Sequence, residues 1–168
     1  MRAFQSSLFL IFAAAGTVVS YACSGSDSEA DASLDLSQRD GPYELYYEDG
    51  QLEEKGTYKG GEREGPYESY HRNGQPRIKT TYKGGEQDGP YQVYNETGRL
   101  TEEMIYKEGV ADGPFQRFYE DGQLWISTTY KNGEFDGLYE RYWDNGQLEG
   151  KETYKAGELD GPSEHYYR

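Results

Sequence analysis

From residue 41 onward the chain repeats itself every 24 residues without insertion or deletion. Units begin at Gly41, Gly65, Gly89, Gly113 and Gly137, and a sixth opens at Gly161 and runs to Arg168. An exact period of this length admits only architectures in which one supersecondary unit stacks on the next. Each unit carries two turn signals. The first is Asp49-Gly50, repeated as Asn73-Gly74, Thr97-Gly98, Asp121-Gly122 and Asn145-Gly146. Such dipeptides predict two-residue type I′ hairpins, in which both central residues take positive φ. The second signal ends in Gly61, Gly85, Gly109, Gly133 and Gly157, each two residues after a Lys. Two turns per unit leave two strands of roughly eight to ten residues. The expected fold is all-β: an elongated, single-layer antiparallel meander of tandem hairpins. Some eleven strands at about 4.8 Å each would extend roughly 50 Å.

Side-chain columns follow from this register. A two-residue first turn sets Tyr47 opposite Leu52, Leu45 opposite Glu54 and Tyr43 opposite Gly56. That face also collects the column Leu52, Pro76, Leu100, Leu124, Leu148, and the tyrosines at 58, 82, 106, 130 and 154. It is the expected packing face. The opposite face carries Glu44, Glu48, Gln51, Thr57 and Lys59 and their equivalents. One aromatic column, Tyr46, Tyr70, Tyr94, Phe118, Tyr142 and Tyr166, falls on this polar side. Either a β-bulge near the Gly-Pro step returns these rings to the packing face, or they form a ladder on the exposed one.

Composition agrees with a thin sheet. Only 34% of the chain is hydrophobic, yet 15% is aromatic, with 18 Tyr and 22 Gly. A thick aliphatic core cannot be built from this, whereas Tyr and Trp suit half-buried strands. The net charge of -14 repels nucleic acid and anionic lipid, keeps an exposed sheet soluble and favours a basic partner.

The succession Gly-Pro-Tyr, an aromatic, Asp/Asn-Gly-Gln-Leu, Tyr-Lys-x-Gly and a closing Asp-Gly resembles the bacterial variant of the MORN repeat, over Gly41 to Arg168. The resemblance implies an elongated, single-layered sheet that serves as a scaffold or binding module. It also implies kinship with the YwqK-type antitoxin-like repeat proteins, and through them a toxin as partner. The acidic balance argues against direct binding of anionic lipid.

The start of the chain reads as an export signal, residues 1–22. Arg2 is the positive region, Leu8 to Val19 the apolar one, too short for a permanent span. Ser20-Tyr21-Ala22-Cys23 resembles a lipobox, with Ser20 where Leu is usual. Cys23, the only cysteine, is thus the expected lipidation site of a bacterial lipoprotein; the alternative is an ordinary signal peptide with an incidental Cys. Residues 24–40 read as an acidic, flexible tether, and 41–168 as the repeat domain. Ser24 directly after the Cys points to the outer membrane, lipid-anchored at the cell envelope.

Catalytic and metal chemistry find no footing. His71 stands in a column otherwise filled by Tyr, Asn and Trp, and the spacing of His71 and His165 suits no zinc site. The acids heading each unit, Asp40, Glu64, Asp88, Asp112, Asp136 and Asp160, recur too far apart to converge on calcium. No metal, no cofactor and no enzyme activity are expected, and no nucleic acid. A protein-interaction module is, with antitoxin or immunity-like binding as the finer form; the alternative is a carbohydrate- or peptidoglycan-binding envelope protein. Trp125 and Trp143 are the two tryptophans, and Trp125 replaces Glu53, Arg77, Thr101 and Glu149 of the other units. On the register above it shares the polar face with Phe118 and Tyr142. The surface of Phe118, Trp125 and Tyr142, ringed by Glu120, Asp144 and Glu149, is the expected contact for a basic protein. The competing reading is that Trp125 only covers a thin sheet.

Overall fold

The computed structural model describes residues 39–167, together with a short antiparallel pair, Ala13–Ala14 with Thr17–Val18. Cys23, the expected tether up to 38 and the rest of the expected export signal lie outside the described residues. From Gly41 the chain forms one open antiparallel sheet of fifteen strands. Unit one supplies Gly41–Tyr46, Leu52–Lys59 and the short Glu62–Arg63. The same pattern recurs through Gly137–Tyr142, Leu148–Lys155 and Glu158–Leu159, and Glu164–His165 closes the far edge. Neighbours in space are neighbours in sequence, so the single-layer meander is as expected.

The type I′ geometry expected at the first turn is found at the second. In the first, Gly50 alone takes positive φ (85°). Tyr47 N–H donates to the Gln51 carbonyl at 2.8 Å and Gly50 N–H to the Tyr47 carbonyl at 2.9 Å. This is a three-residue loop with a glycine bulge, not a type I′ turn. Asp49 is chosen because its carboxylate accepts the Gln51 N–H at 3.1 Å, as Asn73 does for Gln75 at 3.0 Å. The type I′ geometry sits at the second turn. There Gly60 and Gly61 both have positive φ (59° and 85°), between the paired Lys59 and Glu62. Later units hold Glu108, Asn132 and Ala156 in the left-handed region at the first of these positions.

The longer first loop changes the faces. Tyr46, not Tyr47, pairs with Leu52, while Leu45 still pairs with Glu54 and Tyr43 with Gly56. Glu53 is therefore a bulge, and it turns Leu52 to the side of Tyr46. The same irregularity recurs at Arg77, Thr101, Trp125 and Glu149. A second irregularity lies at the Gly-Pro step, where Tyr58 pairs with Arg63 but Lys55 with Glu68. It skips two residues and so preserves the faces. The Leu column is thus corrected to the outer face, beside the Tyr46 column.

The packing face is a row in which rings alternate with smaller groups across the strands: Tyr43, Gly56, Tyr67, Thr80, Tyr91 and onward. Each ring leans on a second from the adjacent strand. Tyr43 and Tyr58 centroids lie 4.8 Å apart, Tyr67 and Tyr82 5.7 Å, Phe115 and Tyr130 5.7 Å. At Gly56 a Cβ would sit 3.0 Å from Tyr43 Cε1, so the ring lies directly on the bare backbone, where the equivalent Thr80 and Thr128 carry a side chain. One layer buries little: Tyr67 is 8% exposed, Thr80 6%, Thr128 4% and Ser69 0%. Most of the other packing-face rings are half-buried, which explains a sequence rich in Tyr, whose hydroxyl tolerates water.

Side chains tie neighbouring units together along both rims. Tyr47 donates to the Tyr70 carbonyl at 2.7 Å and Tyr119 to that of Tyr142 at 2.8 Å. His71 makes the equivalent bond through Nε2 to the Tyr94 carbonyl at 2.8 Å, so Nε2 carries the proton. Histidine here substitutes for a tyrosine hydroxyl. On the other rim three of the unit-heading acids accept turn amides: Asp40 from Gly60 at 3.0 Å, Glu64 from Gly84 at 2.9 Å, Asp112 from Asn132 at 3.2 Å.

Candidate functional site

The outer face carries one charged or polar side chain per strand in direct cross-strand register. The row opens with Glu44, Lys55, Glu68 and Lys79, acid and base in alternation. It closes with Glu140, Lys151 and Glu164 in the same alternation. Lys55 Nζ lies 3.5 Å from Glu68 and Lys151 Nζ 3.3 Å from Glu164. The Tyr46 column runs alongside as a ladder on this face. Tyr46 donates to Glu44, Tyr70 to Glu68 at 2.6 Å, Tyr142 to Glu140 at 2.9 Å. Lys55 stands over the Tyr70 ring at 5.6 Å and Lys79 over Tyr94 at 5.8 Å. The Tyr70 hydroxyl, with Lys55 beside it, holds the Glu68 carboxyl below its ordinary pKa. Burial and the Glu68 carboxylate push the Tyr70 phenol up.

The alternation breaks in the middle of the sheet. There the row reads Gln92, Glu103, Gln116, Ser127. Gln92 Nε2 donates to Glu103 Oε2 at 3.4 Å, and Glu103 has no ion pair among the described residues. A groove of about 280 Å³ opens at this place, walled by Pro90 and Pro114 over Ile105 and rimmed by Gln92, Glu103 and Gln116.

The residues expected to form one contact surface are not brought together. Phe118 and Tyr142 lie on the outer face, paired with Leu124 and Leu148. Trp125 occupies the bulge and lies on the packing face. It stacks on Tyr119 (5.5 Å, 30°) and under Arg117 at 5.5 Å, whose cross-strand partners are Glu102 and Ile126. Glu149, at the next bulge, is on that same face, 2.9 Å from Arg141. Glu120 and Asp144 are exposed in the first loops, on the rim. The correction has one cause: the bulge moves its residue to the face opposite the one a straight ladder predicts. Trp125 covers its strands, clamped between an Arg and a Tyr. The break at Glu103 was missed. Its signal was present in the columns, where Lys gives way to Glu and both flanking acids to Gln.

Among the described residues no three His, Cys, Asp or Glu side chains converge as a metal site, and no helix is long and apolar enough to cross a membrane. No curated protein matches the chain. The model of the MORN repeat variant matches five times, at residues 39–59, 63–83, 87–108, 111–132 and 135–156. These segments coincide with the hairpin units and together cover more than half of the sequence, so the chain belongs to the MORN repeat variant family.

Proposed function

We propose that this protein is a non-catalytic protein-interaction module, held at a bacterial cell envelope by a lipid on Cys23, and that it blocks a basic partner in the manner of an antitoxin or immunity protein. The carrying observation is the outer face: a single layer with no sheet or helix laid over it among the described residues, bearing a tyrosine ladder beside a row of charges. Interfaces are enriched in Tyr, and rim charges steer encounter. Stacked sheets usually bury such rings, so leaving them half open favours a partner.

Two measurements test the reading. Labelled palmitate should enter the wild-type chain and be absent from Cys23→Ala; equal labelling of both removes the anchor. The Cys23→Ala protein should capture a basic protein encoded beside its own gene. Its association rate should fall with salt while dissociation changes little. Retention on peptidoglycan without any such complex would replace the reading with polysaccharide binding.

A further inference from the structure

We infer that the central groove of the outer face is a docking site for an extended basic peptide segment of a protein partner, with Glu103 receiving a Lys or Arg and Ile105 an apolar side chain. The inference rests on the protein-binding reading and deepens it.

The protein itself shows what the row normally holds. In units one and two the strand position carries Lys55 or Lys79, and the acid it needs lies on the neighbouring strand. At Glu103 the charge is reversed. Both cross-strand neighbours are neutral amides, Gln92 and Gln116, and the carboxylate has no ion pair among the described residues. An unpaired carboxylate flanked by amides is complementary to a cation brought from outside.

The apolar half departs from the repeat in the same unit. Ile105 stands where Thr57, Thr81, Thr129 and Thr153 stand elsewhere. It packs on the next unit's opening glycine, since a Cβ at Gly113 would lie 2.9 Å from the Ile105 Cβ. With Pro90 and Pro114 as walls this makes an apolar slot beside the carboxylate. Glu103 and Ile105 are two residues apart on one strand, hence about 7 Å apart. A second extended strand presents its own i and i+2 side chains at that spacing. The occupant is therefore a strand-like segment with a basic residue and an apolar residue two apart.

The test uses a fluorescein-labelled peptide, Thr-Lys-Thr-Leu-Thr-Lys-Thr-Leu-Thr, titrated with the repeat protein carrying Cys23→Ala. Glu103→Lys and Ile105→Thr restore the residues of units one, two and five, so both should fold as the parent does. The parent should bind, Glu103→Lys should weaken binding by about tenfold or more through like charge, and Ile105→Thr by about fivefold through lost apolar burial. The same peptide with Glu for Lys should not bind. No binding by the parent, or equal binding by Glu103→Lys, overturns the site. If the whole protein's partner is captured equally by parent and Glu103→Lys, the partner docks elsewhere and the protein-binding reading stands without this site.

Discussion

Tyr67→Ala should melt the first two units and leave the later ones folded. Tyr67 is 8% exposed, the most buried ring of the sheet. It meets Tyr82 edge-on at 5.7 Å, lies under the Arg63 guanidinium at 4.7 Å and donates to Glu54 at 2.7 Å. Truncation removes the ring, opens a gap that one layer cannot refill from behind, and takes a donor from Glu54. A buried aromatic cut to Ala costs about 3–5 kcal/mol, against a whole-domain stability of about 5–15 kcal/mol. In a one-dimensional array each unit touches only its neighbours, so the loss stays local. Hydrogen exchange should show amides of residues 41–83 losing protection while those of 100–155 keep theirs. Tyr154→Ala, at a less buried ring, should cost about half as much or less. Uniformly faster exchange from 41 to 155 would mean that the sheet unfolds as one block, and the repeat energetics would be wrong.

Much of this was legible in the sequence because the period averages out local ambiguity. The two strands per unit and the meander follow from the period alone; the pairing of Tyr43 with Gly56 and Leu45 with Glu54, drawn from a two-residue turn, holds because the extra loop residue and the bulge at Glu53 cancel. The turns were harder. Asp49-Gly50 fits both a two-residue type I′ turn and a three-residue loop, because only the glycine must take positive φ in the second. The bulge was harder still. Its five occupants, Glu53, Arg77, Thr101, Trp125 and Glu149, share no chemistry, so the sequence carries no mark of it. A slip of one residue there moves Leu52 and its equivalents to the outer face and Trp125 to the packing face. The expected contact surface failed on that slip. The groove at Glu103 needed no register; a comparison of the Lys column with its flanking acids would have exposed it.

Raising the pH should unfold the sheet between about pH 10 and pH 12, with tyrosinate absorbance and β-sheet circular dichroism changing together. Burial, reinforced by the hydrogen bond to Glu54, pushes the Tyr67 phenol up to about 12 from its ordinary 10.0. Burial and the Glu54 carboxylate raise Tyr43 further still. Tyr91, Tyr106 and Tyr130 are raised by burial and the nearby Glu102. These phenols lie on the packing face, where an ionised oxygen would lose hydration and meet a carboxylate. The sign follows from proton binding. Between the unfolded and folded values the folded chain keeps protons that the unfolded chain has released, so stability falls as pH rises. The contribution is fully present below about pH 10 and gone above the folded values. Charge adds to it, because a chain already at -14 gains further negative charge with every phenol ionised. Tyr67→Phe should shift the onset upward at its own end of the sheet, since a ring without a hydroxyl cannot ionise. Tyrosines titrating near their ordinary value while the β-sheet signal persists to pH 12 would show that the rings are solvated, and the packing face would have to be reassigned.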